Sequence, residues 1–181
     1  MPNVSGPTFN VPSPRLIGEL VLYLDYDGVL HPEGVYMRRG KGPFIAYPEG
    51  HTLFEQVPLL EAVLEPYPKV RIVLSTSWVR VYKSVRRVAK RLTPQLQARV
   101  IGATYHTQMD PTLFAQAARG MQIWSDVLRR RPTDWLAIDD DYVDWPAWCK
   151  DKLVVTDEVL GISASTVLEE LRAKLAKMAA R

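Results

Sequence analysis

Apolar residues follow two rhythms along this chain. Five short runs rich in Val, Ile and Leu read as strands: Glu19–Tyr26 (ELVLYLDY), Val70–Ser75 (VRIVLS), Arg99–Ala103 (RVIGA), Trp135–Ile138 (WLAI) and Leu153–Thr156 (LVVT). Between them, apolar side chains recur every three or four residues, the period of a helix with one buried face. Thr52–Leu64 aligns Leu53, Val57, Leu60 and Leu64, and Arg80–Leu92 aligns Val81, Val85, Val88 and Leu92. Arg119–Arg130 offers Ile123, Trp124, Val127 and Leu128. A last helix, after the cap candidates Ser163, Ser165 and Thr166, stacks Val167, Leu168, Leu171, Leu175 and Met178. Strands alternating with helices predict a three-layer, Rossmann-like α/β domain, a parallel five-stranded sheet with helices on both faces. Residues 19–181 form that domain. Residues 1–18 read as an extended arm, since the first fifteen residues carry four of the fourteen prolines and little apolar pattern.

In such sheets ligands bind beyond the carboxyl ends of the strands, so the polar clusters there carry the functional reading. The first cluster is Asp25-Tyr26-Asp27-Gly28. Residues two apart on an extended segment share a side, which lets both carboxylates converge, and Gly28 permits a turn that most residues resist. The second is Asp139-Asp140-Asp141, directly after WLAI, with Asp144 close behind. Adjacent carboxylates at a strand end repel one another, and burial raises their pKa values, unless a cation neutralises them. Hard oxygen ligands from several chain positions suit Mg²⁺, and no His or Cys grouping competes for a softer metal. The third cluster, Ser75-Thr76-Ser77-Trp78, can hold a phosphate oxygen or equally cap the helix that follows.

Composition narrows the class without naming it. The 181 residues hold 23 Lys+Arg and 20 Asp+Glu, and no apolar run approaches the ~20 residues of a membrane helix. The start lacks the pattern of a secretory signal, and a lone Cys149 excludes a disulfide framework and a Cys-based zinc site, so a cytoplasmic protein is expected. Charge is sharply partitioned. Residues 66–131 hold 13 basic and 2 acidic side chains, and residues 132–170 hold 2 and 10. A cation site next to an anion site would produce such a partition.

LYLDYDGVL resembles the first motif of the haloacid dehalogenase (HAD) superfamily, a hydrophobic strand followed by DxDGxL. Ser75 stands where that superfamily's second motif places a Ser or Thr, and Asp139-Asp140 with Asp144 resembles its acidic fourth motif. More narrowly, DYDGVLHP, VLSTSW and WLAIDDD are similar to the phosphatase-like domain of Swiss-Army-Knife RNA repair proteins. The resemblance covers roughly residues 19–175. It implies an HAD-like phosphatase with Asp25 as nucleophile, forming an aspartyl-phosphate, and Asp27 as general acid and then base. Asp25, the backbone carbonyl of Asp27, and Asp140 would hold Mg²⁺, with Asp139, Asp141 or Asp144 completing or orienting the shell. Ser75 would bind a phosphoryl oxygen, with Thr76 in its place if the strand ends one residue later. The superfamily's third motif is usually a Lys some twenty residues before the acidic element. Here Arg119 precedes Asp139 by twenty residues, and Lys83 and Arg80 are its rivals.

Substrate choice in this superfamily usually depends on cap insertions. The stretch after Asp27 is too short for a cap domain and reads as a hairpin flap, Val35–Arg38 and Phe44–Tyr47. The site is therefore expected to be open. Arg38, Arg39 and Lys41 on the flap would meet a polyanion. A basic helix over residues 80–91, carrying Arg80, Lys83, Arg86, Arg87, Lys90 and Arg91, would extend that surface, with Trp78 and Tyr82 for stacking. A solvated helix face explains the same charges. His31 lies near Asp27 if the turn is tight and would assist the leaving group; His51 and His106 have no evident partners. The expected activity is Mg²⁺-dependent phosphomonoester hydrolysis on a nucleic-acid terminus or nucleotide. A small-molecule phosphatase and a binding module for RNA or protein on the same fold are the alternatives.

Overall fold

A computed structural model describes residues 11–180. In chain order the elements are β1 (Leu20–Leu24), a hairpin of β2 (Val35–Arg38) and β3 (Gly42–Ile45), α1 (Val57–Leu64), β4 (Val70–Leu74), α2 (Trp78–Tyr82), α3 (Val85–Ala89), α4 (Pro94–Gln97) and β5 (Val100–Ala103). Then follow α5 (Pro111–Gln116), α6 (Arg119–Arg130), β6 (Asp134–Asp139), a 3₁₀ segment over Ala147–Lys152, β7 (Leu153–Val155) and α7 (Ser165–Ala179). The five expected sheet strands all form, trimmed or extended by one or two residues. They pair in parallel in the order β5-β4-β1-β6-β7. The chain runs outward from β1 in one direction and then the other, so the crevice between the ends of β1 and β6 is the topological switch point.

Alternate residues of β1 serve the two faces. Leu22 and Leu24 join Leu60 and Leu64 of α1, Val88 of α3, and Leu171 and Leu175 of α7 in the larger core. Val21 and Tyr23 join Ile123 and Val127 of α6, Trp135 and Trp145 in the smaller one. Beneath that second core Asp126 accepts from the Tyr23 hydroxyl at 2.9 Å and pairs with Arg129 and Arg130, both at 2.8 Å. The described part of the arm, residues 11–18, has no regular element. Pro12 and Leu16 carbonyls accept from Arg129 and Arg130, and the Gly18 N–H donates to the end of α6. The rest of the expected arm lies outside the described residues.

Two helices differ from the periodicity. The run from Thr52 becomes helical only at Val57, because Phe54 sits in the left-handed region at φ 63° and Pro58 suits a first turn. The expected basic helix over 80–91 is two short helices. Lys83 turns left-handed at φ 52°, and the Ser84 hydroxyl then caps α3 by accepting from the Arg87 N–H. The β2–β3 hairpin forms the flap, with Val35 paired to Ile45 and Arg38 to Gly42, and no large cap is present among the described residues. No helix among the described residues is long and apolar enough to cross a membrane.

Candidate active site

The ends of β1, β4 and β6 and the start of α6 meet at the switch point. Asp25 follows β1 and is buried. Its Oδ1 accepts from the Tyr26 N–H at 2.7 Å, and its Oδ2 lies 3.0 Å from the Arg119 Nη2. Asp139 ends β6 with no exposure at all, and Asp140 follows half-buried; one oxygen from each of Asp25, Asp139 and Asp140 lies within 4.8 Å of the others. Arg119 Nε stands 3.2 Å from Asp139 Oδ2, an ion pair without hydrogen-bond alignment, while another of its nitrogens donates to the Ser75 carbonyl. Gln122 Oε1, one turn along α6, accepts from Arg119 at 3.3 Å.

Two glycines make this convergence possible. Gly28 takes φ +67°, and a Cβ there would stand 2.5 Å from Asp140 Cγ, inside the carboxylate it cradles. Gly120 lets the first turn of α6 lie against Trp145 and Pro146, where a Cβ would come 2.5 Å from Pro146 Cδ. That close approach carries Arg119 to the strand ends.

Burial and crowding push all three carboxyls in one direction. Burial raises Asp25, against Arg119, and the neighbouring Asp27 raises it further. Burial, then Asp25, hold Asp139 well above the usual carboxylate range. Asp140 is pushed up to about 7 by burial, by Asp25 and by Glu33. Burial opposes the charge on Arg119 as well, but Asp25, Asp139, Asp141 and Asp140 outweigh it and raise that group above its ordinary value. Two buried carboxylates thus pair with one guanidinium, and Asp140 and Asp141 add to the negative field around it.

Asp27 is treated differently. Its carboxylate turns away from the cluster, with Oδ1 2.9 Å from His31 Nε2 and both oxygens 3.0 Å from the Trp78 indole Nε1. Ser75 Oγ is buried without a hydrogen-bond partner. Thr76 Oγ1 accepts from the Trp78 N–H at 3.3 Å and also lies near enough to Asp25 to favour its charged form.

A family model described as the HAD domain in Swiss Army Knife RNA repair proteins matches residues 21–167. The chain belongs to that family. No curated protein and no solved structure matches it.

For this HAD domain the donor set fits a hard divalent cation: three carboxylate oxygens in reach of one another, Asp139 Oδ2 without a donor, and Asp140 seated in the Gly28 cradle. Asp144 does not join them. It is exposed, left-handed at φ 51°, and lines a neighbouring cavity, outside the group it was expected to complete. The Asp27 side chain is likewise outside the acidic group, which leaves only its backbone carbonyl for that role. Of the three basic candidates, Arg119 alone touches Asp25; Arg80 lines the cavity and Lys83 is exposed at the helix break.

The cavity holds about 350 Å³ and opens beside Arg119, walled by Thr76, Arg80, Phe114, Val143 and Asp144. Arg38 and Arg39 are exposed on the flap, whose Met37 sulfur accepts from the Tyr82 hydroxyl at 3.9 Å. Trp78 is not a free stacking surface: it is 6% exposed, its N–H faces Asp27, and Arg91 lies 5.7 Å over its ring. Arg87 covers one face of Tyr82 at 4.8 Å. His31 is fully buried and cannot face a leaving group. His51 pairs with Glu55 at 2.6 Å, and His106 Nδ1 accepts from the Gln108 N–H, so both have local partners. Sequence reasoning missed Gln122 and the Asp27 partnership of Trp78. The latter spans 51 residues and leaves no local signal.

Proposed function

We propose that this HAD domain is a Mg²⁺-dependent phosphomonoester hydrolase acting through an aspartyl-phosphate on Asp25. The observation carrying the reading is the Asp25 carboxylate, buried and aimed by the Tyr26 N–H and Arg119, with Asp139 and Asp140 in reach and Asp27 two residues on. An Asp25 oxygen attacks phosphorus while the bond to the leaving oxygen breaks. That oxygen keeps the electron pair and takes a proton from Asp27. Asp27 then accepts a proton from water as the water attacks the aspartyl-phosphate, releasing phosphate and restoring Asp25. Arg119, Ser75 Oγ and the Thr76 hydroxyl bind phosphoryl oxygens, and Gln122 steadies the guanidinium. When bound by Asp25, the Asp27 carbonyl and Asp140, Mg²⁺ supplies charge neutralisation at the phosphoryl group.

A nucleic-acid terminal phosphate is the proposed substrate. The uncapped site, the exposed Arg38 and Arg39 on the flap and the basic side chains of α2 and α3 support it. The 350 Å³ cavity favours a second reading, a nucleotide or other small phosphate ester, because its size is that of a small-molecule pocket. The test is Mg²⁺-dependent phosphate release from 5′- and 3′-phosphorylated oligonucleotides, nucleotides and sugar phosphates, with Asp25→Asn beside the wild type. Oligonucleotide turnover that weakens steeply with salt supports the first reading. Equal rates in the two proteins, or none in either with metal present, reject the enzyme and leave a binding module.

A further inference from the structure

Asp27 is held by two rings from different parts of the fold. His31 comes from the turn after β1, where Asp27 and His31 also bridge through their backbones; Trp78 is the first residue of α2. His31 Nδ1 accepts the Phe54 N–H at 3.2 Å, and an N–H can only donate. The ring proton therefore sits on Nε2 and points at Asp27 Oδ1, 2.9 Å away. Phe54 presents that N–H from a left-handed backbone, unfavourable for a residue with a Cβ. The Phe54 ring packs against His31 at 4.7 Å and Trp78 at 5.3 Å, and Tyr26 closes the cluster at 6.0 Å from Trp78. Neither ring can swing away from Asp27 without breaking this packing.

The result is a carboxylate with defined free valences. Oδ1 accepts from both rings, whereas Oδ2 accepts from the indole alone, and the side chain remains 24% exposed. We propose that His31 and Trp78 are positioning residues that aim Asp27 Oδ2 at the leaving-group oxygen. They work through Asp27, since His31 is fully buried and Trp78 nearly so. Neutral N–H donors suit the task. A guanidinium in their place would hold the negative charge on Asp27 and oppose its taking up the proton it must deliver.

This inference rests on the phosphatase reading, and leaving-group chemistry separates the two. A p-nitrophenyl ester needs little protonation of its leaving oxygen; an alkyl ester such as glycerol 2-phosphate needs much. Trp78→Phe removes one N–H and keeps the ring, and His31→Leu removes the other donor, while His31→Gln restores a donor. With Mg²⁺ present, Trp78→Phe and His31→Leu should each lose about 10-fold or more in kcat/KM on the alkyl ester and less than about 3-fold on the aryl ester, with His31→Gln close to wild type. Equal losses on both esters, or none on either, overturn the positioning role. Wild type inert on both esters and on every phosphorylated oligonucleotide, nucleotide and sugar phosphate tested overturns the phosphatase reading and the role with it. Nitrogen-15 NMR tests the clamp without turnover. The Trp78 indole and His31 Nε2–H resonances should both shift in Asp27→Ala, and resonances that ignore the substitution overturn the arrangement.

Discussion

Asp25 and Asp27 are two residues apart, yet they occupy opposite electrostatic surroundings. Asp25 shares a buried cluster with Asp139 and Asp140, and its main partner is the charged Arg119. Asp27 meets two neutral N–H donors on aromatic rings. Period-two geometry sends both side chains toward the strand's end, but Gly28 turns the chain immediately afterwards, so Asp27 faces α2 while Asp25 faces α6. A nucleophile must keep its charge among like charges and needs cations to do so. A proton carrier must give and take a proton and is better held by groups that cost it no charge. On the proposed reading, one strand end supplies both settings.

The charged side breaks most severely at Arg119. Arg119→Met leaves Asp25 and Asp139 buried without their counter-charge, which should cost about 3 kcal/mol in metal-free thermal unfolding. Turnover should fall by about 10³-fold, as for other guanidinium groups that stabilise phosphoryl transfer. Unchanged melting would mean that the three carboxyls are already protonated and that the pair does not hold them. Gly28→Ala tests the same side more gently. The new Cβ displaces the Asp140 carboxylate, so Mg²⁺ affinity by titration calorimetry should drop about 10- to 100-fold.

The smallest effect is in pH. Asp140 titrates near 7 in the folded chain, well above the 3.8 of an ordinary aspartate, and Asp25 and Asp139 are also raised. The folded state therefore binds more protons than the unfolded one between about pH 4 and 7, and metal-free stability should fall as pH rises through that window. Mg²⁺ at tenfold its Kd should then raise Tm by about 3–5 °C at pH 8 and much less at pH 5. Trp78→Phe, on the neutral side, should leave that Mg²⁺ effect intact. A loss of the effect there would show that the two settings are not separate.

Much of this site was legible because its residues stand where strands end. The runs ELVLYLDY and WLAI fix Asp25 and Asp139 at the carboxyl edge, and the turn glycine after Asp27 reads directly. Arg119 was legible only through the family resemblance, which expects a basic residue some twenty positions before the acidic element; the reason it arrives, Gly120 pressed on Pro146, is a packing fact. Where apolar period and local backbone disagreed, the backbone won. Val81, Val85, Val88 and Leu92 keep a helical period straight across Lys83, and the available warning was the capping Ser84. Thr93-Pro94 and Asp110-Pro111 likewise announce α4 and α5, each a capping side chain followed by a first-turn proline. Of the Asp27 clamp only the nearness of His31 was legible, since Phe54 reaches His31 from 23 residues away and Trp78 reaches Asp27 from 51, in contacts that the pattern does not encode.

The missing cap has a consequence of traffic. A capped site shuts behind its guest, and that closing motion often sets the pace of the cycle. Among the described residues the flap is a single hairpin of two four-residue strands, so no folded cap there has to open before a guest leaves. The visitor must form its own roof. A long chain whose end enters the crevice would shade it from water along its whole approach, whereas a small ester would leave it wet. Residence time should therefore depend on the length of what hangs outside the site more than on the opening of a cap.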